Sequence, residues 1–329
     1  MGRETVKISR EKLAALVTLT GFRADMVEKV VRLLNLLNII NTHPLLRGKL
    51  ALKGGTALNL FVFHIPRLSV DIDLNYIGAA GLEAMQAERP RIEQAIQAVF
   101  SCEDYNMKRI PGEHAGGKWR LGYLDAWGQS ANLEVDLNFM YRVPLWKIRA
   151  ADSHFLGEYH AEKIPLLDIL ELAAGKLCAL FSRHQARDIF DVSKLLSLKE
   201  LDFRQLRIAF IVYGAMNRKD WRTISLDNIT FDAKGLEQML LPVLNMKRIE
   251  PTVNSSSSFG QKLVDECREK LETFFPFTKH ELEFLNAILD HGEIKPEFLT
   301  SDIDLQNRIK NHPVLLWKAI NVRKHYELE

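Results

Sequence analysis

Cysteine is scarce in this sequence. Cys102, Cys178 and Cys267 are odd in number and far apart among 329 residues. No CxxC or metal-ligand spacing links them, which excludes a disulfide scaffold and predicts a reduced, cytoplasmic chain. The ten histidines are scattered, with no HExxH or other ligand spacing, so zinc is not expected. No serine stands in a nucleophile elbow. No apolar run reaches the roughly 18 residues of a membrane span, so no membrane partner is expected. The opening stretch "MGRETVKISREKLAALVTLTGF" has apolar residues interrupted at helical spacing, and it lacks Ser or Thr at the myristoylation position. Neither a leader nor a lipid anchor is expected from it. An excess of one charge is also missing. The 44 Lys and Arg against 42 Asp and Glu leave a formal net charge of +2. Bulk attraction to nucleic acid is therefore not expected, which leaves room for a local basic patch.

What is present suits a globular chain. The sequence is 47% hydrophobic and 26% charged, enough for a sizeable core and two domains. Residues 8–41 read as helical, with Ser9 as a cap. "KLALKGG" reads as a short strand ending in glycines, "TALNLFVF" as a short helix, and "SVDIDLNYI" as a strand. A helix follows over 82–100, broken or kinked at Pro90. Residues 105–139 read as an antiparallel meander whose turns come from Gly116-Gly117 and Gly128-Gln129. Beyond "IPLLD" the periodicity is almost wholly helical, interrupted by "VNSSSSFG" at 253–260 as a link or loop. The expected class is α+β: a small mixed, mostly antiparallel sheet with flanking helices on one side, followed by a helical C-terminal domain. Residues 1–44 form a helical lead-in, 45–160 the α/β core, and 161–329 the helical domain.

The chemistry concentrates in "KGGTALNLFVFHIPRLSVDIDLNY". Side chains alternate along a strand, so Asp71 and Asp73 share one face while Val70, Ile72 and Leu74 turn to the core. In "NLEVDLNF", Glu134 and Asp136 share a face in the same way. If these strands are neighbours, three or four carboxylates converge. Divalent cations relieve their repulsion, and two such ions can clamp a phosphoryl displacement. An i,i+2 aspartate pair is also what the solvated face of a sheet presents. The upstream turn favours the site. Gly54 and Gly55 let a phosphate approach the backbone, and Thr56 can cap the next helix and donate to a phosphate oxygen.

Glycines opening a helix, Asp-x-Asp on the next strand and a third acid on a later strand resemble the DNA polymerase β-like nucleotidyltransferase superfamily. More narrowly, "LKGGTAL…RLSVDIDL" resembles the AbiEii/AbiGii family of nucleotidyltransferase toxins. "IPLLDILELAAGKLCAL" and "RDIFDVSKL" resemble that family's later blocks, so the resemblance spans residues 45–200. It implies a nucleotidyltransferase-like core acting in abortive infection or in a toxin–antitoxin pair. By the same resemblance, Asp71 and Asp73 ligate Mg²⁺ and the NTP phosphates. Asp136 serves one of two possible metal ions and activates the attacking hydroxyl, and Gly54, Gly55 and Thr56 contact the triphosphate. Ser69 is a phosphate donor on the acids' face. Arg67 is a flexible neighbour able to pair with an acid when nucleotide is absent. Where the superfamily has Gly-Ser, this chain has Gly-Gly-Thr.

Lys176 lies among small and apolar residues, either aimed at a phosphate or snorkelling to the surface. Arg187, Asp188 and Asp191 form a second polar cluster. Asp188 is a candidate to cap a helix or to pair with Lys176 or Arg187, and Asp188 and Asp191 share a helix face. The resemblance assigns this block to the active site, with Lys176 and Asp188 catalytic and Arg187 and Asp191 nucleotide-binding. A salt-bridged helix start accounts for it equally. Lys108, Arg109, Lys118, Arg120, Arg142, Lys147 and Arg149, interleaved with Trp119, Trp127, Tyr141 and Trp146, offer either an RNA surface or ordinary solvated faces. The expected activity is Mg²⁺-dependent transfer of a nucleoside monophosphate from an NTP to an acceptor hydroxyl. Within the family that acceptor is the tRNA 3′ end, and an antitoxin is the partner. The rivals are a metal-dependent nuclease or phosphohydrolase using the same acids, and a non-catalytic binding module.

Overall fold

The computed structural model describes residues 8–112, 115–245 and 256–327. The chain divides into two compact units. The first comprises Met1–Arg142, Ile148–Leu167 and Pro242–Glu250, and the second Val143–Lys147, Asp168–Leu241 and Pro251–Glu329.

The first unit opens with α1 (Arg10–Thr20), started by the Ser9 hydroxyl accepting from the Lys12 amide and ended by Gly21 in the left-handed region. Helix α2 (Ala24–Thr42) follows, then β1 (Leu50–Lys53). The glycine turn is α3 (Gly54–Thr56), which widens into a π-helical stretch over Ala57–Val62. Next come β2 (Asp71–Tyr76), α4 (Leu82–Cys102), β3 (Asn106–Arg109), β4 (Gly116–Leu124), β5 (Ser130–Asn138), β6 (Arg149–Ala151) and β7 (Ile164–Leu166). These strands make one seven-stranded sheet in the order β3-β4-β5-β2-β1-β7-β6. Four of its pairings are antiparallel; β1–β7 and β2–β5 are parallel.

The period-2 pattern sorts the sheet into two faces. Ile72, Val135 and Trp119 stand side by side in register, all buried, with the Phe100 ring of α4 edge-on to Trp119 at 5.9 Å. Asp71, Asp73, Glu134 and Asp136 alternate with these residues and are half-buried.

Three local expectations are corrected. Strand β2 begins at Asp71, so Val70 precedes it and is only half-buried. Helix α4 continues through Pro90, because Pro90 and Gln86, whose carbonyl loses its partner, both face water. Gly116 and Gly117 are not a turn but the first residues of β4. A side chain at Gly116 would put its Cβ 2.0 Å from the Leu137 carbonyl oxygen. Gly128 does close the β4–β5 turn, with its amide donating to the Asp125 carbonyl.

The second unit holds α5 (Ile169–Arg183), α6 (Ala186–Leu195), α7 (Phe203–Ala215), α8 (Ala233–Gly235), α9 (Ser256–Leu271), α10 (Lys279–His291), α11 (Ile303–Lys310) and α12 (Pro313–His325). Its core includes an aromatic cluster in which Phe210 meets Phe181, Trp221 and Phe274 at ring distances of 5.3–5.8 Å. The serine-rich link is corrected in part: 256–260 belong to α9, and 253–255 lie outside the described residues. No helix among the described residues is long and apolar enough to cross a membrane.

Candidate active site

The pairing registers order the charges on the open face of the sheet. One row runs Lys53–Asp73–Asp136–Lys118 across β1, β2, β5 and β4. The next runs Asp71–Glu134–Arg120 across β2, β5 and β4. Asp73 and Asp136 are thus direct partners on adjacent parallel strands, and the two strands bring four carboxylates together. Lys118 reaches along its strand to Glu134, Nζ to Oε2 2.8 Å. That hydrogen bond raises the Lys118 pKa against the opposing effect of burial, and the charges of Glu134, Asp71 and Asp73 raise it further. An ammonium therefore sits in the field of three acids.

The glycine turn presses against the same carboxylates. Gly54 has φ +75°, and a Cβ there would lie 2.3 Å from Asp73 Oδ2. A Cβ on Gly55 would lie 2.8 Å from Ser69 Oγ and 3.0 Å from Arg67 Nη2. Side chains of the site already fill the space that a larger residue would need, a nearer cause for the glycine pair than phosphate access.

Thr56 does not cap the helix. Lys53 occupies the cap position, and Thr56 is fully buried with its hydroxyl donating to the Asp71 carbonyl at 2.5 Å. It braces the start of β2 from below. Arg67, expected to be flexible, is held in place. It is 2% exposed, its Nη1 donates to the Leu68 carbonyl, and its backbone bridges to Leu244. Ser69 is buried just ahead of β2. The first unit thus brings Gly54, Gly55, Arg67, Ser69, Asp71, Asp73 and Asp136 together.

The donor set suits a hard cation: carboxylate oxygens on one open face, with no sulfur or imidazole among the paired residues. Among the described residues no three acidic, histidine or cysteine side chains form a ready-made metal cage. Mg²⁺ needs none, because it binds through one or two carboxylates and completes its shell with water and phosphate.

The second unit carries a polar cluster of its own. Lys176 is not snorkelling. It is buried, with Nζ 2.9 Å from both Asp188 Oδ1 and Asp191 Oδ2. Asp188 also accepts from Arg183, Nε to Oδ2 2.6 Å and Nη2 to Oδ1 2.9 Å. Burial works to raise the Asp188 pKa, but Lys176 and Arg183 outweigh it and hold the carboxyl below its ordinary value. Asp188 is not the cap of α6; Gln185 holds that position, and Asp188 lies in the first turn. Its pairing arginine is Arg183 rather than the half-buried Arg187. The sequence pattern did not single out Arg183, although its place seven residues after Lys176 puts it on the same helix face. Nor did it single out Glu171, a buried acid of α5 accepting from the Tyr213 hydroxyl and the Trp146 amide. Burial pushes its pKa up to about 7 against those hydrogen bonds.

Known proteins bear on this geometry in two ways. The fold is similar to that of MenT4, a nucleotidyltransferase toxin from Mycobacterium tuberculosis H37Rv. That likeness has TM-score 0.60 and 13% identity, covering 94% of this chain and 99% of the other. At that identity it establishes the fold alone. No curated protein matches the chain. The profile described as "Nucleotidyl transferase AbiEii toxin, Type IV TA system" matches residues 35–270, which include the sheet carboxylates, the glycine turn and the Lys176 cluster. With well over half its length matched, the chain belongs to the AbiEii nucleotidyltransferase toxin family of type IV toxin–antitoxin systems.

Proposed function

We propose that this protein transfers a nucleoside monophosphate from an NTP to an acceptor hydroxyl, and that the acceptor is the 3′ end of tRNA. The observation that carries the reading is the register of Asp73 against Asp136, with Gly54 packed onto Asp73. Two central strands hold an excess of carboxylate in fixed positions, and such an arrangement is stabilised by cations. Asp71, Asp73 and Asp136 are the residues to hold Mg²⁺, which supplies charge neutralisation for the triphosphate. The acceptor oxygen forms a bond to the α-phosphorus, the bond to the β-phosphate's bridging oxygen breaks, and pyrophosphate leaves with the electron pair. Asp136 takes the hydroxyl proton. Ser69 and Arg67, which stand against Gly55, and the amides of the glycine turn, whose Gly54 packs onto Asp73, position the triphosphate. Family membership supports a cognate antitoxin as the partner and shutdown of translation as the effect, in toxin–antitoxin or abortive-infection defence.

The test is incubation of purified protein with each labelled NTP in turn, Mg²⁺ and total RNA, followed by 3′-end sequencing. The expected result is RNA extended at its 3′ end by one class of nucleotide. Labelling that survives Asp71→Ala and Asp73→Ala defeats the assignment. RNA that shortens without NTP turns the reading to a phosphohydrolase.

A further inference from the structure

A cleft of about 430 Å³ opens in the first unit where the end of α1 meets the loops at His64–Ile65 and His154–Leu156. That volume suits a small molecule. None of the residues placed in the active site lines it. Its floor is buried, with Phe22, Ile65 and Asn245 each at most 8% exposed. Its rim is open and aromatic. The Phe155 ring is 63% exposed, and the His64 and His154 rings lie 4.4 Å apart at 47°. Among the described residues no Asp, Glu, Lys or Arg lines the cleft. Burial, and then the neighbouring His64, hold the His154 imidazole below its ordinary value, so it is neutral at pH 7.

Loose packing between a helix end and two loops would leave a cleft with no purpose. The backbone argues against that. Ile65 has φ +49°, an outlier for a β-branched residue. Such strain persists where the surroundings impose it, and it gathers at ligand clamps and switches. Here two cleft residues impose it. The His154 amide donates to the Leu60 carbonyl at 2.7 Å, and the Asn245 amide donates to the Pro66 carbonyl at 3.4 Å. Both acceptors belong to the stretch from Gly55 to Ser69, which starts through the π-helical turns of Ala57–Val62, a form found mostly at functional sites. The ends of that stretch meet in the active site, where Gly55 stands against Ser69 and Arg67. Its middle, His64 and Ile65, is a wall of the cleft.

The lining defines the occupant. Four rings, Phe22, His64, His154 and Phe155, suit a flat ring that stacks. The Asn245 amide and the imidazole nitrogens offer donors and acceptors to the edge of a heterocycle. A phosphate meets no cation among these side chains. We infer that the cleft binds an uncharged nucleoside, base inward between the rings and towards Asn245, and that its occupancy tunes the placement of Arg67 and Ser69. The binding claim stands apart from the transfer reading, and the tuning claim rests on it.

The test is calorimetry of the full chain with adenosine, guanosine, cytidine and uridine in turn. At least one is expected to bind with a Kd below about 1 mM, and to shift the ring-proton NMR signals of His64 and His154. His64→Ala with Phe155→Ala is expected to weaken that binding about tenfold. Both side chains are exposed, so the melting temperature should hold. Phe155→Trp keeps a ring and is expected to stay within about twofold. No binding by any of the four, or binding indifferent to the alanine pair, overturns the site. Indole binding as tightly as the best nucleoside overturns the ligand class. Mg²⁺ and NTP are then titrated with and without the nucleoside. NTP affinity is expected to change about fivefold or more in wild type, and to lose that response in the alanine pair. An unchanged NTP affinity overturns the tuning. If the nucleoside binds through His64 and Phe155 but no NTP binds at all, the cleft stands and the transfer reading falls.

Discussion

The two units hold polar clusters made of the same kinds of charge and buried to different depths. In the second unit Lys176 and Arg183 face Asp188 and Asp191, two cations for two acids, and both aspartates and the lysine are buried. In the first unit Asp71, Asp73, Glu134 and Asp136 share a half-exposed open face with Lys53, Lys118 and Arg120 in register beside them, and Lys118 is drawn to Glu134. Buried ions must be compensated within the protein, because desolvation is too costly otherwise. Half-exposed acids keep part of their hydration and can still take a cation from solution. On the proposed function, the buried cluster holds structure and the open one holds ligands.

The sharpest way to break that comparison is to remove one acid from the open face. Asp73→Asn is expected to reduce nucleotide transfer by at least about a thousandfold. Its melting temperature should stay level or rise, since the substitution relieves repulsion with Asp136. A variant that unfolds instead would mean that the open row is structural after all. The converse change is Lys176→Met. It leaves Asp188 with Arg183 alone and Asp191 without the lysine, at an expected cost of about 3–5 kcal/mol in denaturant unfolding. A variant as stable as wild type removes the structural role assigned to the buried cluster.

Gly54 sharpens the comparison from the backbone side. Gly54→Ala meets both a positive φ and Asp73 Oδ2, so the carboxylate has to move. The strain costs roughly 1–2 kcal/mol. A shift of about 1 Å in a reacting group costs about a hundredfold in rate. Single-turnover kinetics would show the loss, and transfer at the wild-type rate would mean that the position of Asp73 is not what the glycine protects.

Much of this geometry was legible in the chain. Alternation in "VDIDL" and "LEVDL" assigned the faces of β2 and β5, because period 2 is a local property and in both stretches buried apolar residues alternate with half-buried acids. Their adjacency was not legible. The β2–β5 pairing is parallel, and α4, β3 and β4 intervene in sequence. Nothing local specifies such a long-range pairing. The same limit hid the reason for the glycines, since Asp73 and Ser69 return to the turn only after the chain has looped through Arg67. Arg67 read as a flexible neighbour of the acids because the segment its backbone bridges to, at Leu244, lies far along the sequence. Thr56 read as a cap because Gly-Gly-Thr looks like a helix start. The helix begins two residues earlier, and the threonine is left to hold the Asp71 carbonyl.

Glu171 gives the smallest expected effect and a third kind of balance. It is buried like Asp188, yet it accepts hydrogen bonds from the Trp146 amide and the Tyr213 hydroxyl rather than from a cation. Burial raises its pKa to about 7, with those donors opposing and the nearby Asp168 charge adding to the rise. A proton therefore does for Glu171 what Lys176 does for Asp188. Between the ordinary glutamate value of 4.5 and about 7, the folded protein keeps a proton that the unfolded chain has released. Stability attributable to Glu171 is full below that window and falls as pH rises through it, by at most about 1.4 kcal/mol per pH unit, then levels off. Glu171→Gln keeps the shape and removes the titration. The difference between wild-type and variant melting curves, taken from pH 4 to 8, should slope across that window and flatten above it. A flat difference throughout would mean that Glu171 stays ionised in the fold, and that neutral donors suffice to hold a buried carboxylate without a cation or a proton.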